Sequence, residues 1–141
     1  MYFCMPDHHI ITKKTETDAA YLNLGNDGII RVIIKRKTEV NAAVLKKLYK
    51  VFNEIENGEP YAFIYYTEDS SVTMTEEGRT FAKEEENSFP KICEAVVVTN
   101  LSHKLLANFY LRFNKPNYPF KVFSKMEDAE KWCLFQMKKV S

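Results

Sequence analysis

Tyr61–Tyr66 reads YAFIYY, and these six residues decide the fold. The run is almost wholly apolar and lacks the alternation of a half-exposed strand. A run this short, followed by the turn formers Thr67-Glu68-Asp69-Ser70-Ser71, suits a central strand covered on both faces. Cys93–Val98, CEAVVV, has the same character. Between the two, Thr73 and Glu76 match a capping box for a helix from Met74 to about Glu86. Its apolar contacts reduce to Met74, Phe81 and Ala82, Gly78 is internal, and Pro90 prevents continuation. Strand, helix and strand joined by short loops imply a right-handed crossover between parallel neighbours.

Toward the N-terminus, Asn41 is placed to cap a helix. Its Val44, Leu45, Leu48, Val51, Phe52 and Ile55 fall at helical spacing, and Asn57-Gly58 ends it. Before it stand two strands, Tyr21–Leu24 and Ile29–Lys35, joined by Gly25-Asn26-Asp27-Gly28 as a hairpin. Ile30, Val32 and Ile34 take one face. Ile29, Arg31, Ile33 and Lys35 take the other, with the basic residues toward its polar end. Residues 1–19 show no consistent period and read as an N-terminal extension, which leaves 20–141 as one domain. The hairpin would stand at a sheet edge, so pairing between chains into a homodimer is allowed.

Toward the C-terminus, Asn100-Leu101-Ser102 turns into a third helix capped by Ser102, with Leu105, Leu106, Phe109, Tyr110 and Phe113 on its apolar side. Asn108–Phe123, NFYLRFNKPNYPFKVF, carries this helix through a Pro-containing connection into a short strand, Phe120–Phe123. Ser124 and Glu127 form another capping box, and Met126, Ala129, Trp132, Cys133, Gln136 and Met137 follow helical spacing. The order is β-β-α-β-α-β-α-β-α. It predicts an α/β fold: a mixed, mainly parallel sheet of about five strands with an N-terminal hairpin and four helices.

Composition narrows the function classes. Twenty basic residues stand against 19 acidic ones, and a net charge of +1 gives no global reason to expect nucleic acid or an anionic membrane as a partner. No apolar run approaches the length of a membrane span. Met1-Tyr2-Phe3-Cys4-Met5 has neither a basic leader nor a full hydrophobic segment, so no signal peptide is expected. Cys4, Cys93 and Cys133 are odd in number and widely spaced, which opposes a disulfide framework and suits a cytoplasmic location. Cys4, His8 and His9 lack the further ligands that a metal needs, so no metal is expected. No glycine-rich phosphate loop, reactive-thiolate signal or isolated acid–base pair is present; no cofactor is implied and the chain reads as a non-enzyme.

Several stretches match a known pattern: Glu76–Ala82 (EEGRTFA), Asn108–Pro116, Tyr118-Pro119, and Phe123 followed by Glu127–Trp132 (EDAEKW). With the element order, they make the chain from about residue 20 onward resemble the STAS-like fold of sporulation anti-anti-sigma factors and of the sulfate-transporter cytoplasmic domain. More narrowly, it resembles small uncharacterised bacterial proteins grouped by fold with STAS and with lipid-binding CRAL-TRIO domains. The resemblance implies a phosphorylatable serine after the third strand, commonly within Asp-Ser-Ser-Gly at a helix N-terminus. Here that place holds Asp69-Ser70-Ser71-Val72, so Val72 replaces the glycine.

Four groups of residues are candidates. Ser70 or Ser71 would accept a phosphate, although Asp and Ser are also ordinary turn residues. A pocket at the carboxyl ends of the parallel strands would draw on Thr67, Asp69, Ser71, Asn100, Ser102 and His103, with capping as the competing role of Ser102. Arg112 and Lys115, with Arg79 and Lys104, would bind an anion or simply satisfy helix carbonyls. The aromatics Phe109, Tyr110, Phe113, Tyr118, Phe120 and Phe123 either fill the core or line an apolar ligand pocket. The expected function is a non-enzymatic, STAS-like regulatory protein-binding module, phospho-switched at Ser70 or Ser71. The alternative is a carrier or sensor of a small apolar or lipid-like ligand, of CRAL-TRIO type.

Overall fold

The computed structural model describes residues 10–55, 59–88, 90–98, 100 and 116–140. Six strands form one mixed sheet, ordered β1 (Ile11–Glu16), β2 (Ala20–Gly25), β3 (Ile29–Ile34), β5 (Tyr61–Thr67), β7 (Lys91–Val97) and β8 (Phe120–Phe123). β1, β2 and β3 are antiparallel neighbours, while β3, β5, β7 and β8 run parallel. A separate two-residue pair joins β4 (Glu39–Val40) to β6 (Thr73–Met74) in parallel. Three helices lie among the described residues: α1 (Ala42–Ile55), α2 (Glu76–Glu84) and α3 (Met126–Val140). The helix expected from Ser102 to Phe113 falls outside the described residues.

Alternation along β3 divides the core. Ile30, Val32 and Ile34 face one layer with Leu22 and Phe63, where Leu45, Leu48, Phe52 and Ile55 of α1 cover them. Phe52 meets Phe63 edge-on at 5.0 Å between ring centroids. Ile29 faces the other layer with Ala62, Ile64, Cys93, Ala95 and Val97, under Ala129 and Cys133 of α3. Each face of the central strands therefore removes a mainly apolar surface from water, which is why YAFIYY and CEAVVV need no regular polar alternation.

The strand count is six rather than five. The additional strand, β1, arises inside the stretch that reads as an extension, and Thr15 pairs with Leu22 and Glu16 with Tyr21. β1 is exposed at most positions, so the backbone ladder forms without any apolar alternation to announce it. The hairpin of β2 and β3 is consequently not at the edge; β1 is.

Two caps test the local reading. Asn41 caps α1 as expected, its Oδ1 accepting from the Val44 N–H at 2.9 Å. The cap of α2 is Thr75 rather than Thr73, with Thr75 Oγ1 accepting from the Gly78 N–H at 2.9 Å. The N–H groups of Thr73 and Thr75 donate to the carbonyls of Thr38 and Val40, so this segment is a strand before it can be a helix. Gly78 is internal for a steric reason. A Cβ there would stand 2.5 Å from the Val40 carbonyl oxygen, so glycine lets α2 approach β4 closely.

Candidate functional site

The parallel strands β3 and β5 end together, and the segments leaving them are bonded to each other. The Glu68 N–H donates to the Ile34 carbonyl at 3.0 Å. The Arg36 N–H donates to Glu68 Oε1 at 2.8 Å, and the Lys37 N–H to Ser71 Oγ at 2.6 Å. Ser71 in turn donates its N–H to Asp69 Oδ1 at 2.9 Å and its hydroxyl to the same oxygen at 2.5 Å. The Arg36 guanidinium stands 3.7 Å from Glu68 and 4.0 Å from Asp69. Lys37 has φ +63°, an unusual conformation for a side-chain-bearing residue, costing about 1–2 kcal/mol that these cross-loop bonds offset. Val72, where the resembled pattern has glycine, is buried in the core beside α1 and anchors the loop from below.

The electrostatics favour a fixed surface over a reactive one. The hydrogen bonds from Ser71 hold the Asp69 carboxyl below its usual range, and the charges of Arg36 and Lys37 act in the same direction. A general base serving a serine needs a pKa near the working pH, and Asp69 is moved the other way. Ser70 is exposed beside Asp69, while the Ser71 hydroxyl is engaged on both sides. Neither serine lies at the start of α2. Thr73 and Met74 intervene as a strand, Thr75 caps the helix, and Glu76 and Glu77 occupy its first turn. A phosphate on Ser70 or Ser71 would therefore face Arg36 and Lys37 rather than the helix N-terminus that sequence suggests.

Asn100 is half-buried just beyond the end of β7. Ser102, His103, Arg112 and Lys115, with Lys104, Phe109, Tyr110 and Phe113, lie outside the described residues. Tyr118, Phe120 and Phe123 are described and half-buried. Tyr118 belongs to a polar cluster, and Phe123 packs against Trp132 at 5.6 Å. Between α1 and α2 runs an open groove of about 440 Å³, with Tyr49 and Phe81 as its floor and Lys46, Lys50, Glu54 and Glu85 on its rims. It differs in both place and character from the apolar pocket that the sequence allows.

Sequence reasoning missed two buried charged clusters. On the α3 face, Arg31 is 5 % exposed. Its Nε and one terminal nitrogen donate to Glu130 Oε2 at 2.9 and 2.7 Å, and the guanidinium also reaches both oxygens of Asp27. Burial alone would depress the guanidinium pKa; the hydrogen bonds and charges of Asp27 and Glu130 outweigh it, holding the group above its ordinary value. On the opposite face, Tyr118 donates to Glu94 Oε1 at 3.1 Å. Lys91 donates to the Tyr118 hydroxyl at 3.2 Å and to the Glu86 carbonyl at 2.6 Å, and stands 3.9 Å from Glu94 Oε2. Desolvation raises the Glu94 carboxyl despite Lys91, Tyr118 and Tyr65, and it lowers the Lys91 ammonium. The available signal was a charged residue inside an apolar run, in IIRVII and in CEAVVV. Such a residue is seldom buried unless it is paired.

Among the described residues no three or more His, Cys, Asp or Glu side chains are grouped to hold a metal. Cys93 and Cys133 are buried free thiols, and the contact with Cys93, followed by burial, pushes the Cys133 thiol far above its ordinary value. Such a thiol is unreactive. No described helix is long and apolar enough to cross a membrane.

No curated protein and no solved structure matches the chain. One family model does, over residues 23–136, which run from within β2 almost to the end of α3. The chain belongs to that family, described as a domain of unknown function, DUF7793.

Proposed function

We propose that the protein is a non-enzymatic, STAS-like regulatory module that binds another protein through the bonded loops Lys35–Thr38 and Glu68–Val72. The observation that carries this reading is the cross-loop network of Arg36, Lys37, Glu68, Asp69 and Ser71. It places exposed charges and hydroxyls on a backbone fixed at both strand ends, so a partner would meet a surface already ordered and lose less entropy on binding. The carboxyl ends of parallel strands are also where open α/β sheets usually receive a ligand. Ser70 is the switch residue. A phosphate there adds nearly two negative charges next to Asp69 and competes with Glu68 for the Arg36 guanidinium.

Two sets of variants test this reading. Affinity capture from native extract, quantified for wild type, Ser70→Glu, Ser71→Ala and Arg36→Glu with Lys37→Glu, is followed by binding of the purified pair. One partner should be retained by wild type, weakened at least about tenfold by the double charge reversal, and altered by Ser70→Glu. A partner indifferent to all three would sink the assignment of these loops. A partner sensitive to the charge reversal but not to Ser70→Glu would remove only the phospho-switch.

A further inference from the structure

The outer surface of α3 combines cations with aromatic rings in a regular way. Lys131, Phe135 and Lys139 follow one another at four-residue steps, each advancing about 40° around the helix, so the three share one outward strip. Phe135 is 57 % exposed, and the Lys139 ammonium stands 5.0 Å from its ring centre. Beside the strip, half-buried Trp132 packs on Phe123 of β8, with the Lys121 ammonium 5.5 Å from the Phe123 ring. From residue 131 to 140 the sequence carries Lys131, Lys138 and Lys139 and no carboxylate. Glu127 and Asp128, both exposed, lie one turn before Lys131 and about three turns from Lys139, so the strip is acidic at its N-terminal end and basic toward its C-terminal end.

The inner side of α3 is committed to the sheet through Ala129, Cys133 and Glu130, so the strip is not a core face left open. It is convex, and among the described residues it lines no channel along which a nucleic-acid strand could be tracked by cations and stacked bases. A convex strip with a ring at its centre and lysines along it suits a broad anionic plane. The lysine stems can lie along the apolar layer with their ammonium groups among phosphates, while Phe135 enters the interface between them.

We infer that α3 docks the protein reversibly on an anionic lipid surface through Lys131, Phe135, Lys139 and Lys121. Each lysine close to an anionic leaflet contributes about a factor of five to partitioning, so the contact is weak, charge-dependent and readily released. It would bring the loops at the strand ends to a membrane without any spanning segment.

The test is co-sedimentation of the full chain with vesicles of phosphatidylcholine alone or with about a third phosphatidylserine. The protein should sediment only with the anionic vesicles, and high salt should release it. Lys131→Glu with Lys139→Glu should lower partitioning by at least about twentyfold, and Phe135→Ala by several-fold. Circular dichroism should remain that of wild type, because all three positions are exposed. Equal sedimentation with both vesicle types, none with either, or binding unaffected by these substitutions would overturn the inference. So would tighter binding of a single-stranded oligonucleotide through the same residues.

Discussion

Arg31 and Lys91 are both buried cations on central strands of one sheet, yet their surroundings treat charge in opposite ways. Arg31 presents a planar fork to Glu130 and Asp27, with four contacts between 2.7 and 3.3 Å, and its charged form is favoured over burial. Lys91 is a single point charge 3.9 Å from Glu94, and desolvation moves both partners toward their neutral forms. One cluster is a permanent ionic clamp between the β2–β3 turn, β3 and α3. In the other, burial disfavours the charge on both partners. Geometry decides the difference, because the guanidinium fork of Arg31 donates to two carboxylates, whereas the Lys91 ammonium donates to a hydroxyl and a backbone carbonyl and stands farther from its carboxylate.

The most direct way to break this contrast is to remove each cation. Arg31→Met would leave Asp27 and Glu130 facing each other beneath α3 without their shared cation. It should cost about 3–5 kcal/mol of unfolding free energy, read from urea or thermal melts. Lys91→Met should cost less, about 1–3 kcal/mol, because Glu94 can take up a proton instead of remaining a bare buried anion. Equal losses from the two substitutions would show that the clusters do not differ in the way their geometry indicates.

The same contrast explains what could be read in the sequence. The strands β3, β5 and β7 and helices α1 and α3 are legible because apolar periodicity is local: Leu45, Leu48 and Phe52 announce a helix without knowledge of what they touch. Arg31 is different. Its alternation places it correctly on the face of Ile29, but its burial depends on Glu130, 99 residues away. No local rule reaches that far. Strand β1 is illegible for the converse reason, since ITKKTE joins the sheet through backbone bonds and shows water on both faces. At the loop site, Asp69-Ser70-Ser71 is readable as a turn. Its bonding to Arg36 and Lys37 is not, because those residues become neighbours only when β3 and β5 align in parallel.

Proton linkage gives a sharper test than the cost of a cavity. Glu94 has its folded pKa above the value of the unfolded chain, so the native state holds this proton more firmly. Its contribution is fully present below the ordinary carboxylate range, near pH 4.5. It is lost as pH rises through the folded value. Lys91, lowered in the fold, acts in the alkaline window instead, where stability rises with pH toward its ordinary value near 10.5. Glu94→Gln should therefore remove a fall in stability that wild type shows as pH rises from about 4.5 through the folded value, leaving the alkaline limb in place. Urea midpoints at successive pH values measure this. Parallel curves for the two proteins would mean that Glu94 is ionised in the fold as readily as in the unfolded chain.

The smallest change expected is at Tyr118, and it separates packing from proton control. Tyr118→Phe keeps the ring beneath Lys91 and deletes one hydroxyl, which donates to Glu94 and accepts from Lys91. The loss should be only about 1 kcal/mol near neutrality, the net worth of one hydrogen bond. The hydroxyl also holds the Glu94 pKa down, so its removal should carry the acid-side window to higher pH. A small drop in stability with an upward shift of that window would identify Tyr118 as a regulator of the Glu94 proton. A drop without the shift would reduce it to a packing residue, and the Lys91 cluster would then be a second clamp of the Arg31 kind.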